Sequence, residues 1–333
     1  MQTPDFWSQK PGLKSWLLSP LGAIYAAGTK RRLAKGTPER LPIPVICVGN
    51  INAGGTGKTP VCIWLAMELA AMGLKPHIVS RGYGGSLEGP VRVDEQIHSA
   101  DQVGDEPLLL SAFAPVTVSK DRAAGAKAAI TDGAGVIILD DGFQNPALET
   151  DFAFIVVDAK VGFGNGFCIP AGPLREPISA GLPRASALLR IGDAETQAMF
   201  DTRWGSEINH VTADLPQYHG HLETLQTGMD WDGMPVFAFA GIGRPEKFFK
   251  TLRDLGAHLI HTEALADHQP LSDRLMSRLL TDAKNHGAQL VTTEKDAARL
   301  PQKYRQKVLT LPVRLQIDDA ETLKQSLLSA INP

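Results

Sequence analysis

The sequence predicts a doubly wound α/β fold built on a mostly parallel sheet, with a second, smaller α/β domain. Short apolar runs rich in Val and Ile alternate with helical segments from residue 42 to about residue 189. A strand, a Gly-containing turn and a helix follow again after residue 226. Continuous apolar runs are typical of a parallel sheet whose two faces are covered by helices. The 333 residues suffice for two such domains.

The composition indicates a soluble globular protein, with 43% hydrophobic and 21% charged residues. The net charge of -3 gives no reason to expect a nucleic-acid partner. Cys47, Cys62 and Cys168 lack metal-ligand spacing, so we expect buried thiols in a reducing compartment. Neither a secretory signal nor a run of 18 apolar residues is present, which favours a cytosolic protein without a membrane-spanning helix.

Apolar runs mark the strands of the first domain. They lie at 44–50, 77–82, 114–121, 135–141, 151–158 and 186–192. Between the first two runs, Val61, Leu65 and Leu69 recur every four residues, and Gly73 follows. This spacing predicts an amphipathic helix that ends at the glycine.

The second domain is predicted to begin near residue 226. Its expected elements are a strand and helix within 235–256, a helix at 272–286, and strands at 289–296 and 307–317. Residues 196–225 show no strong periodicity, so we interpret them as the connection. The predicted units are therefore an N-terminal segment 1–40, a first domain 41–225 and a C-terminal α/β domain 226–333.

The N-terminal segment combines apolar and basic residues. Aromatic and aliphatic side chains cluster at 7–25, and four basic residues follow at 30–35. This order suits an amphipathic helix lying in a membrane interface beside anionic headgroups. A helix that packs on the domain with a solvated basic end has the same pattern, so both interpretations stay open at this point.

A Gly-rich segment after the first strand resembles a phosphate-binding P-loop. Its residues are Asn52, Ala53, Gly54, Gly55, Thr56, Gly57, Lys58 and Thr59. Glycines let backbone N–H groups approach phosphate oxygens, Lys58 matches the β/γ-phosphate lysine, and Thr59 matches the Mg²⁺ hydroxyl. Asn52 stands where the usual formula has its first Gly. The segment instead fits a paired-glycine variant, GGxGK[ST], in which Ala53 replaces a frequent Lys.

A P-loop enzyme also needs an acidic residue at the end of a neighbouring strand to hold the metal. The run VIILDD ends in Asp140 and Asp141, and Asp158 follows a second apolar run. Because the pair comes directly after a buried run, Asp140 or Asp141 is the preferred candidate.

Other polar residues in Gly- or Pro-rich stretches are candidates for the site. Arg81 and Tyr83 lie among three glycines at an expected carboxyl edge, where ligands bind in such folds. Further candidates are Asp105 and Glu106, Arg175 and Glu176, Asp267 and His268, and 294–296. Taken alone, Asp105 and Glu106 could equally be a helix cap. His219 and His221 have no further ligands nearby in sequence, so no metal is assigned to them.

Eight motifs in order resemble the tetraacyldisaccharide 4'-kinase (lipid A 4'-kinase) family across nearly the whole chain. They are GNINAGGTGKTP, SRGYGG, GDEPLLL, DDGFQN, GPLREP, FAGIGRPEKF, ADHQPLS and TTEKDAARL. The resemblance implies transfer of the γ-phosphate of ATP to the 4'-hydroxyl of a tetraacyldisaccharide 1-phosphate, with Mg²⁺. It also implies a peripheral enzyme at the cytosolic face of the inner membrane, docked by its N-terminal segment without spanning.

The resemblance also assigns roles to residues. Lys58 and Thr59 would bind phosphates and Mg²⁺, and Asp140 and Asp141 would supply the metal-side acid. Asp105 would be the base that takes the proton of the sugar hydroxyl, paired with His268. The residues that would line the substrate region are Arg81, Tyr83, Gln144, Arg175 and Glu176.

One position departs from the family pattern, and two other functions stay open. Asn145 follows the DDGFQ motif where the family commonly has His, which puts any proton or metal role of that position in doubt. A membrane-associated P-loop ATPase switch is an alternative, although Ala53 weighs against it. A P-loop ligase that activates a carboxylate is a third possibility.

Overall fold

The computed structural model describes residues 4–267 and 269–331 and confirms the mixed α/β fold. The strands are β1 Val45–Gly49, β2 Pro76–Ser80, β3 Val91–Arg92, β4 Val116–Val118, β5 Val136–Asp140, β6 Phe152–Asp158, β7 Ala187–Ile191, β8 Gln217–Thr224, β9 Pro235–Ala240, β10 His258–Ala264, β11 Gln289–Thr293, β12 Leu309–Leu311 and β13 Val313–Ile317. The helices are α1 Leu13–Lys35, α2 Lys58–Ala71, α3 Ala100–Val103, α4 Asp105–Leu110, α5 Arg122–Thr131, α6 Ile178–Gly181, α7 Ala194–Val211, α8 Pro245–Asp254, α9 Asp273–Asn285, α10 Glu294–Ala298, α11 Gln302–Arg305 and α12 Ala320–Ile331. Two short 3₁₀ turns, Asp5–Trp7 and Leu182–Arg184, complete the described elements.

The larger sheet is mostly parallel. Within the described residues its order is β13-β8-β7-β6-β1-β5-β2-β4-β3, and only the edge strands β13 and β3 run antiparallel to their neighbours. β1 lies between β5 and β6, so the carboxyl ends of these three strands open at one edge. In open parallel sheets, ligands bind at this edge.

Helices bury both faces of this sheet, as the continuous apolar strands predict. α2 and α12 pack on one face against side chains such as Ile46, Val48 and Phe154. α7 covers part of the other face, where Ile155 and Val157 point. Alternate residues of one strand therefore belong to different cores, and every position must be apolar.

Residues 196–225, which the sequence analysis interprets as the connection for want of periodicity, contain regular secondary structure. They form most of α7 and the whole of β8, a strand of the larger sheet. α7 buries only a narrow stripe that includes Phe200, Trp204 and Ile208, while most of its other residues are polar. β8 lies next to the edge strand and leaves several side chains exposed. The buried apolar residues of α7 and β8 are too few to give a recognisable hydrophobic period in the sequence.

The predicted strand at 307–317 is two strands in two different sheets. β12 ends at Leu311 in the small parallel sheet, whose order is β10-β9-β11-β12, and β13 begins at Val313 in the large one. Pro312, which has no N–H to donate to a ladder, lies at the switch. β13 and α12 pack in the core of the larger sheet, so residues 313–331 lie on the first domain and not with the rest of 226–333.

α1 presents an unusual pair of faces. Its side toward the domain carries the buried Ser15, Gly22 and Thr29, spaced seven residues apart. The opposite side carries Leu17 and Ile24, which are 70% and 69% exposed, with exposed Leu13 and Leu21. Small residues thus make the contact with the protein and large apolar ones face away from it. Among the described residues, no helix has both the length and the apolar character needed to cross a bilayer.

We expect Gly22→Val to loosen α1 from the domain. A Cβ at this position would lie 2.8 Å from the backbone oxygen of Cys168, so the helix must shift. Overpacking of this kind costs about 1–3 kcal/mol of unfolding free energy. Urea unfolding and limited trypsin digestion measure the loss of stability and the faster cleavage of α1.

Gly28→Ala is the matched control in the same helix. A Cβ on Gly28 meets nothing within 4 Å, so this change should be neutral or slightly stabilising. Equal digestion rates for Gly22→Val and the wild type would contradict the close packing of α1.

Candidate functional site

A large cleft lies over the carboxyl edge of the main sheet, between the two domains. Its volume is about 2860 Å³. The Gly-rich loop lines it together with most of the predicted site residues: Lys58, Thr59, Arg81, Tyr83, Asp105, Asp140, Asp141, Gln144 and Arg175. The structure therefore brings together residues that are far apart in the sequence. His268 lies outside the described residues.

The Gly-rich loop joins β1 directly to α2, as predicted. Gly54 and Gly57 have φ angles of 109° and 95°, a region that favours glycine. Gly57 is also the N-cap of α2, and no side chain caps the helix there. The first N–H groups of α2 are thus available to an anion, which the helix dipole also attracts.

The segment around Arg175 braces this loop through its backbone. The N–H of Ala53 donates to the carbonyl of Pro173 at 2.7 Å, and the N–H of Arg175 donates to the carbonyl of Ile51 at 2.7 Å. Asn52, the residue that departs from the usual formula, is buried, and its Nδ2 donates to the carbonyl of Gly162 at 3.0 Å. Asn52 therefore anchors the base of the loop.

Asn50 is a loop residue that the sequence analysis did not single out. Its Nδ2 donates to the hydroxyl of Thr56 at 2.9 Å across the loop, and Gln144 Nε2 donates to its carbonyl at 2.7 Å. Asn50 is completely buried. Its position directly after β1 is the signal that could have identified it.

Lys58 and Arg175 converge on Asp141. Lys58 Nζ lies 3.3 Å from Asp141 Oδ1, and Arg175 Nη1 donates to the two carboxylate oxygens at 2.9 and 3.1 Å. Burial alone would raise the pKa of Asp141, but the two cations outweigh it and lower the pKa. Asp141 has a φ of 53°, a strained conformation for a non-Gly residue that is common at functional sites.

Asp140 has a different environment from its neighbour. Its side chain is almost completely buried although it lines the cleft, and the hydroxyl of Ser80 donates to Oδ2 at 2.8 Å. Burial raises the pKa of Asp140 to about 6, and the charge of Glu106 adds to this effect while Lys58 and Ser80 oppose it. Asp140 is therefore a buried carboxylate whose charge is only partly compensated, which favours a nearby cation.

Glu176 is fully engaged inside the protein. Its carboxylate accepts from Arg184 Nη2 at 2.5 Å and from Gln144 Nε2 at 3.0 Å, and it is only 2% exposed. Gln144 in turn accepts from Arg175 at 3.2 Å. These contacts order the segment around Arg175 that braces the Gly-rich loop. Glu176 is not among the described residues that line the cleft.

The remaining predicted residues surround the same cleft. Asp105 begins α4 and is buried, and its Oδ1 accepts from the N–H of Glu106 at 3.1 Å. Arg81 and Tyr83 are exposed on the cleft wall. Asn145 accepts from the N–H of Ala147 at 2.9 Å, so it stabilises its own turn.

The donor set fits Mg²⁺ bound mainly by phosphates. The hydroxyl of Thr59 and the carboxylate of Asp140 are hard oxygen ligands of the kind that Mg²⁺ prefers. In residues 4–267 and 269–331, no group of three or more His, Cys, Asp or Glu side chains could hold a metal. One or two protein ligands completed by substrate phosphates and water are typical of nucleotide-bound Mg²⁺.

The second domain contributes cations at two points of the cleft. Arg244 forms an ion pair with Asp158 at the end of β6, and Lys247 Nζ lies 3.4 Å from the same carboxylate. Lys295 Nζ lies 3.2 Å from Glu106 Oε1. Asp158, the second candidate for a metal ligand in the sequence, is thus engaged in ion pairs between the two domains. It lies at the end of β6, on the other side of β1 from Asp140.

Comparisons with known proteins agree with this geometry. A sequence model of the family described as tetraacyldisaccharide-1-P 4'-kinase, LpxK, matches residues 14–332. The tetraacyldisaccharide 4'-kinase of Jannaschia sp. (strain CCS1) is 60% identical over 319 residues, covering 96% of each chain. That of Dinoroseobacter shibae is 58% identical over 330 residues, covering 98% of this chain and 97% of the relative. The crystal structure of LpxK from Aquifex aeolicus in complex with ATP superimposes with a TM-score of 0.75 at 28% identity, covering 96% of this chain and 100% of that one.

We expect Asp140→Asn to stabilise the protein at pH 8 in the absence of Mg²⁺. The folded pKa of Asp140 is raised, so the wild-type carboxylate destabilises the fold at high pH and this penalty fades as the group is protonated. A shift of two units corresponds to about 3 kcal/mol, and the gain should shrink by more than about 1 kcal/mol between pH 8 and pH 5. Urea unfolding in EDTA at both pH values measures it.

Asp141→Asn is the matched control on the adjacent residue. The lowered pKa of Asp141 means that its ion pairs stabilise the fold throughout this pH range, so the variant should be less stable at pH 5 and pH 8 alike. A gain from Asp140→Asn that does not change with pH would contradict the buried-charge interpretation.

Proposed function

The chain belongs to the tetraacyldisaccharide-1-P 4'-kinase family, and on this premise we propose how its residues carry out the reaction. The enzyme transfers the γ-phosphate of ATP to the 4'-hydroxyl of a tetraacyldisaccharide 1-phosphate in lipid A biosynthesis. The observation that carries the proposal is that the Gly-rich loop, Lys58 and Asp105 line the same cleft. Family membership decides against the ATPase switch and the ligase.

The Gly-rich loop is the ATP-binding end of the cleft. The backbone N–H groups of Gly54, Gly55 and Gly57 and the first turn of α2 would receive the phosphates. Lys58 would exchange its contact with Asp141 for the β- and γ-phosphates. Lys58 is the first residue of α2, directly after the loop that would hold these phosphates.

Thr59 and Asp140 are the residues that would hold Mg²⁺. Asp141 is already neutralised by Lys58 and Arg175, whereas Asp140 carries a charge that is only partly compensated. Mg²⁺, when bound, neutralises negative charge on the β- and γ-phosphates. Asp141 would instead keep Arg175 oriented toward the cleft once Lys58 has turned to the phosphates.

Asp105 is the proposed base for the acceptor hydroxyl. Its carboxylate lies at the start of α4 and lines the same cleft as the Gly-rich loop. A carboxylate there can accept the proton of the sugar hydroxyl as the phosphoryl group is transferred. Its pairing with His268 is part of the proposal and derives from the resemblance alone. Arg81, Tyr83 and Arg175 would contact the acidic sugar headgroup.

The outward face of α1 supports peripheral attachment to the cytosolic face of the inner membrane. Exposed apolar residues such as Leu17 and Ile24 lie on the side of the helix away from the domain, and basic residues follow at 30–35. This order matches an interfacial helix beside anionic lipids. An acceptor with four acyl chains must be met at a bilayer surface.

We expect Asp105→Ala to abolish transfer without abolishing ATP binding. The assay contains purified protein, labelled ATP, Mg²⁺ and the acylated disaccharide 1-phosphate in detergent. Loss of a general base should lower kcat by about 10²-fold or more, while the Kd for ATP changes little because Asp105 is not part of the loop. Label in the lipid and equilibrium binding of ATP are measured separately.

Lys58→Ala is the comparison variant for the nucleotide side. It should lose transfer through lost positioning of the phosphates. ATP turnover by the wild type without transfer of label to the lipid would contradict the proposed reaction. Near-normal kcat in Asp105→Ala would remove Asp105 as the base.

We expect Leu17→Glu combined with Ile24→Glu to reduce binding to vesicles that contain anionic lipid. Burial of one Leu or Ile side chain contributes roughly 1.5–3 kcal/mol, so the two changes should lower the partition coefficient by at least about tenfold. Activity in detergent should persist. Met199→Glu, at an exposed apolar position on α7, is the control. Unchanged partition of the double variant, or an equal loss in the control, would exclude α1 as the anchor.

A further inference from the structure

Three consecutive charged residues of α10 have no role in the mechanism described so far. Glu294, Lys295 and Asp296 belong to the TTEKDAARL motif and follow β11 of the small domain. α10 packs against α4, the helix that begins with Asp105. The three side chains point in different directions, and each contacts a different part of the molecule.

Asp296 fixes α10 within the small domain. It is completely buried, and its Oδ2 accepts from the N–H of Gly241 at 3.0 Å and from the hydroxyl of Thr293 at 2.8 Å. Oδ1 accepts from Arg299 Nε at 3.1 Å. A buried carboxylate with this many donors sets the orientation of its helix turn.

Glu294 ties the same turn to the larger sheet. Its two oxygens accept from Arg314 Nη1 at 2.9 and 2.8 Å, and Oε2 also accepts from the N–H of Val313 at 3.1 Å. Val313 and Arg314 belong to β13, directly after the chain crosses between the sheets. α10 is therefore held at the junction of the two domains as well as within its own.

Lys295 extends from this fixed turn toward the proposed base. Its Nζ lies 3.2 Å from Glu106 Oε1, and its side chain is only 22% exposed. Burial would lower the pKa of Lys295, but the charges of Glu106, Asp105 and Asp267 outweigh it and raise the pKa. One ammonium group thus forms an ion pair with Glu106 and is also attracted by the charges of Asp105 and Asp267, and Asp105 and Glu106 form the first turn of α4.

We propose that Lys295 is a positioning residue for phosphoryl transfer, which holds the Asp105–Glu106 turn in place through its ion pair with Glu106. The inference rests on the proposed role of Asp105. Without the ammonium group, the three carboxylates repel one another, and the turn that carries the base can shift. A misplacement of about 1 Å at a reacting group can cost 10²-fold in rate.

Steady-state kinetics of Lys295→Met, Lys295→Arg and Lys303→Met test this role. Lys295→Met should lower kcat by about tenfold or more and leave the KM for ATP within about threefold, because the Gly-rich loop is untouched. Lys295→Arg keeps the charge and should recover most of kcat. Lys303→Met is the control, since Lys303 is exposed and pairs with Asp273 within the small domain. It should behave as the wild type.

Several outcomes would overturn the proposal. Wild-type kcat in Lys295→Met, a loss that appears equally in the KM for ATP, or a Lys295→Arg variant no better than Lys295→Met would each do so. Unfolding midpoints show whether each variant is folded. Should Lys295→Met fail to fold, Glu106→Gln breaks the same ion pair from the large domain and should lower kcat alone. Unchanged kcat in Glu106→Gln would count against the proposal.

A double variant separates this inference from the assignment of the base. If Lys295 acts through Asp105, Lys295→Met should cause no further loss in the residual turnover of Asp105→Ala. The same fold-loss in both backgrounds would overturn the positioning role. Full activity of Asp105→Ala by itself would instead overturn the proposed base, and it is visible without any change at Lys295.

Discussion

The ion pair between Lys58 and Asp141 is the interaction on which the rest of the site depends. It joins the Gly-rich loop after β1 to the end of β5, and Arg175 extends it to the segment that braces the loop. Asp141 meets both cations from a backbone conformation with a φ of 53°, while the neighbouring Asp140 accepts from Ser80 instead. One strained residue therefore separates two adjacent carboxylates into a paired, cleft-facing group and a buried, partly compensated one.

Charge balance explains why two domains are needed around this cleft. The carboxyl edge of the sheet collects Asp140, Asp141 and Asp158, and α4 adds Asp105 and Glu106. Such a concentration of negative charge would repel a triphosphate. The cations come from the loop, from its brace and from the small domain, which reaches Asp158 and Glu106 from opposite sides of the cleft. The small domain thus contributes positive charges that offset these carboxylates, as well as part of the lining of the cleft.

Local patterns in the sequence predict the features that depend on local chemistry. The buried strands, the strand–loop–helix arrangement at the Gly-rich loop, a helix that stops shortly before Gly73 and the three buried thiols are confirmed, because each depends on neighbours in the chain. β8 and α7 were missed because their burial is partial and is set by distant strands. The role of Glu176 could not be predicted either: its partner Arg184 becomes visible only when the loop brace is folded. Lys295 reaches Glu106 through a contact between residues 189 positions apart.

The chain passes from the small sheet to the large sheet at Pro312, and this connection sets the order in which the two domains are completed during synthesis. The small domain, from β9 to β12, is contiguous and interrupts the larger domain between two adjacent antiparallel strands, β8 and β13. On a ribosome, its sheet is complete before β13 and α12 have been synthesised. The larger core, which buries Leu315, Leu323 and Leu327, stays open until β13 and α12 emerge. The larger domain therefore begins before the small domain and is completed after it, so its apolar face stays exposed while the small domain is synthesised.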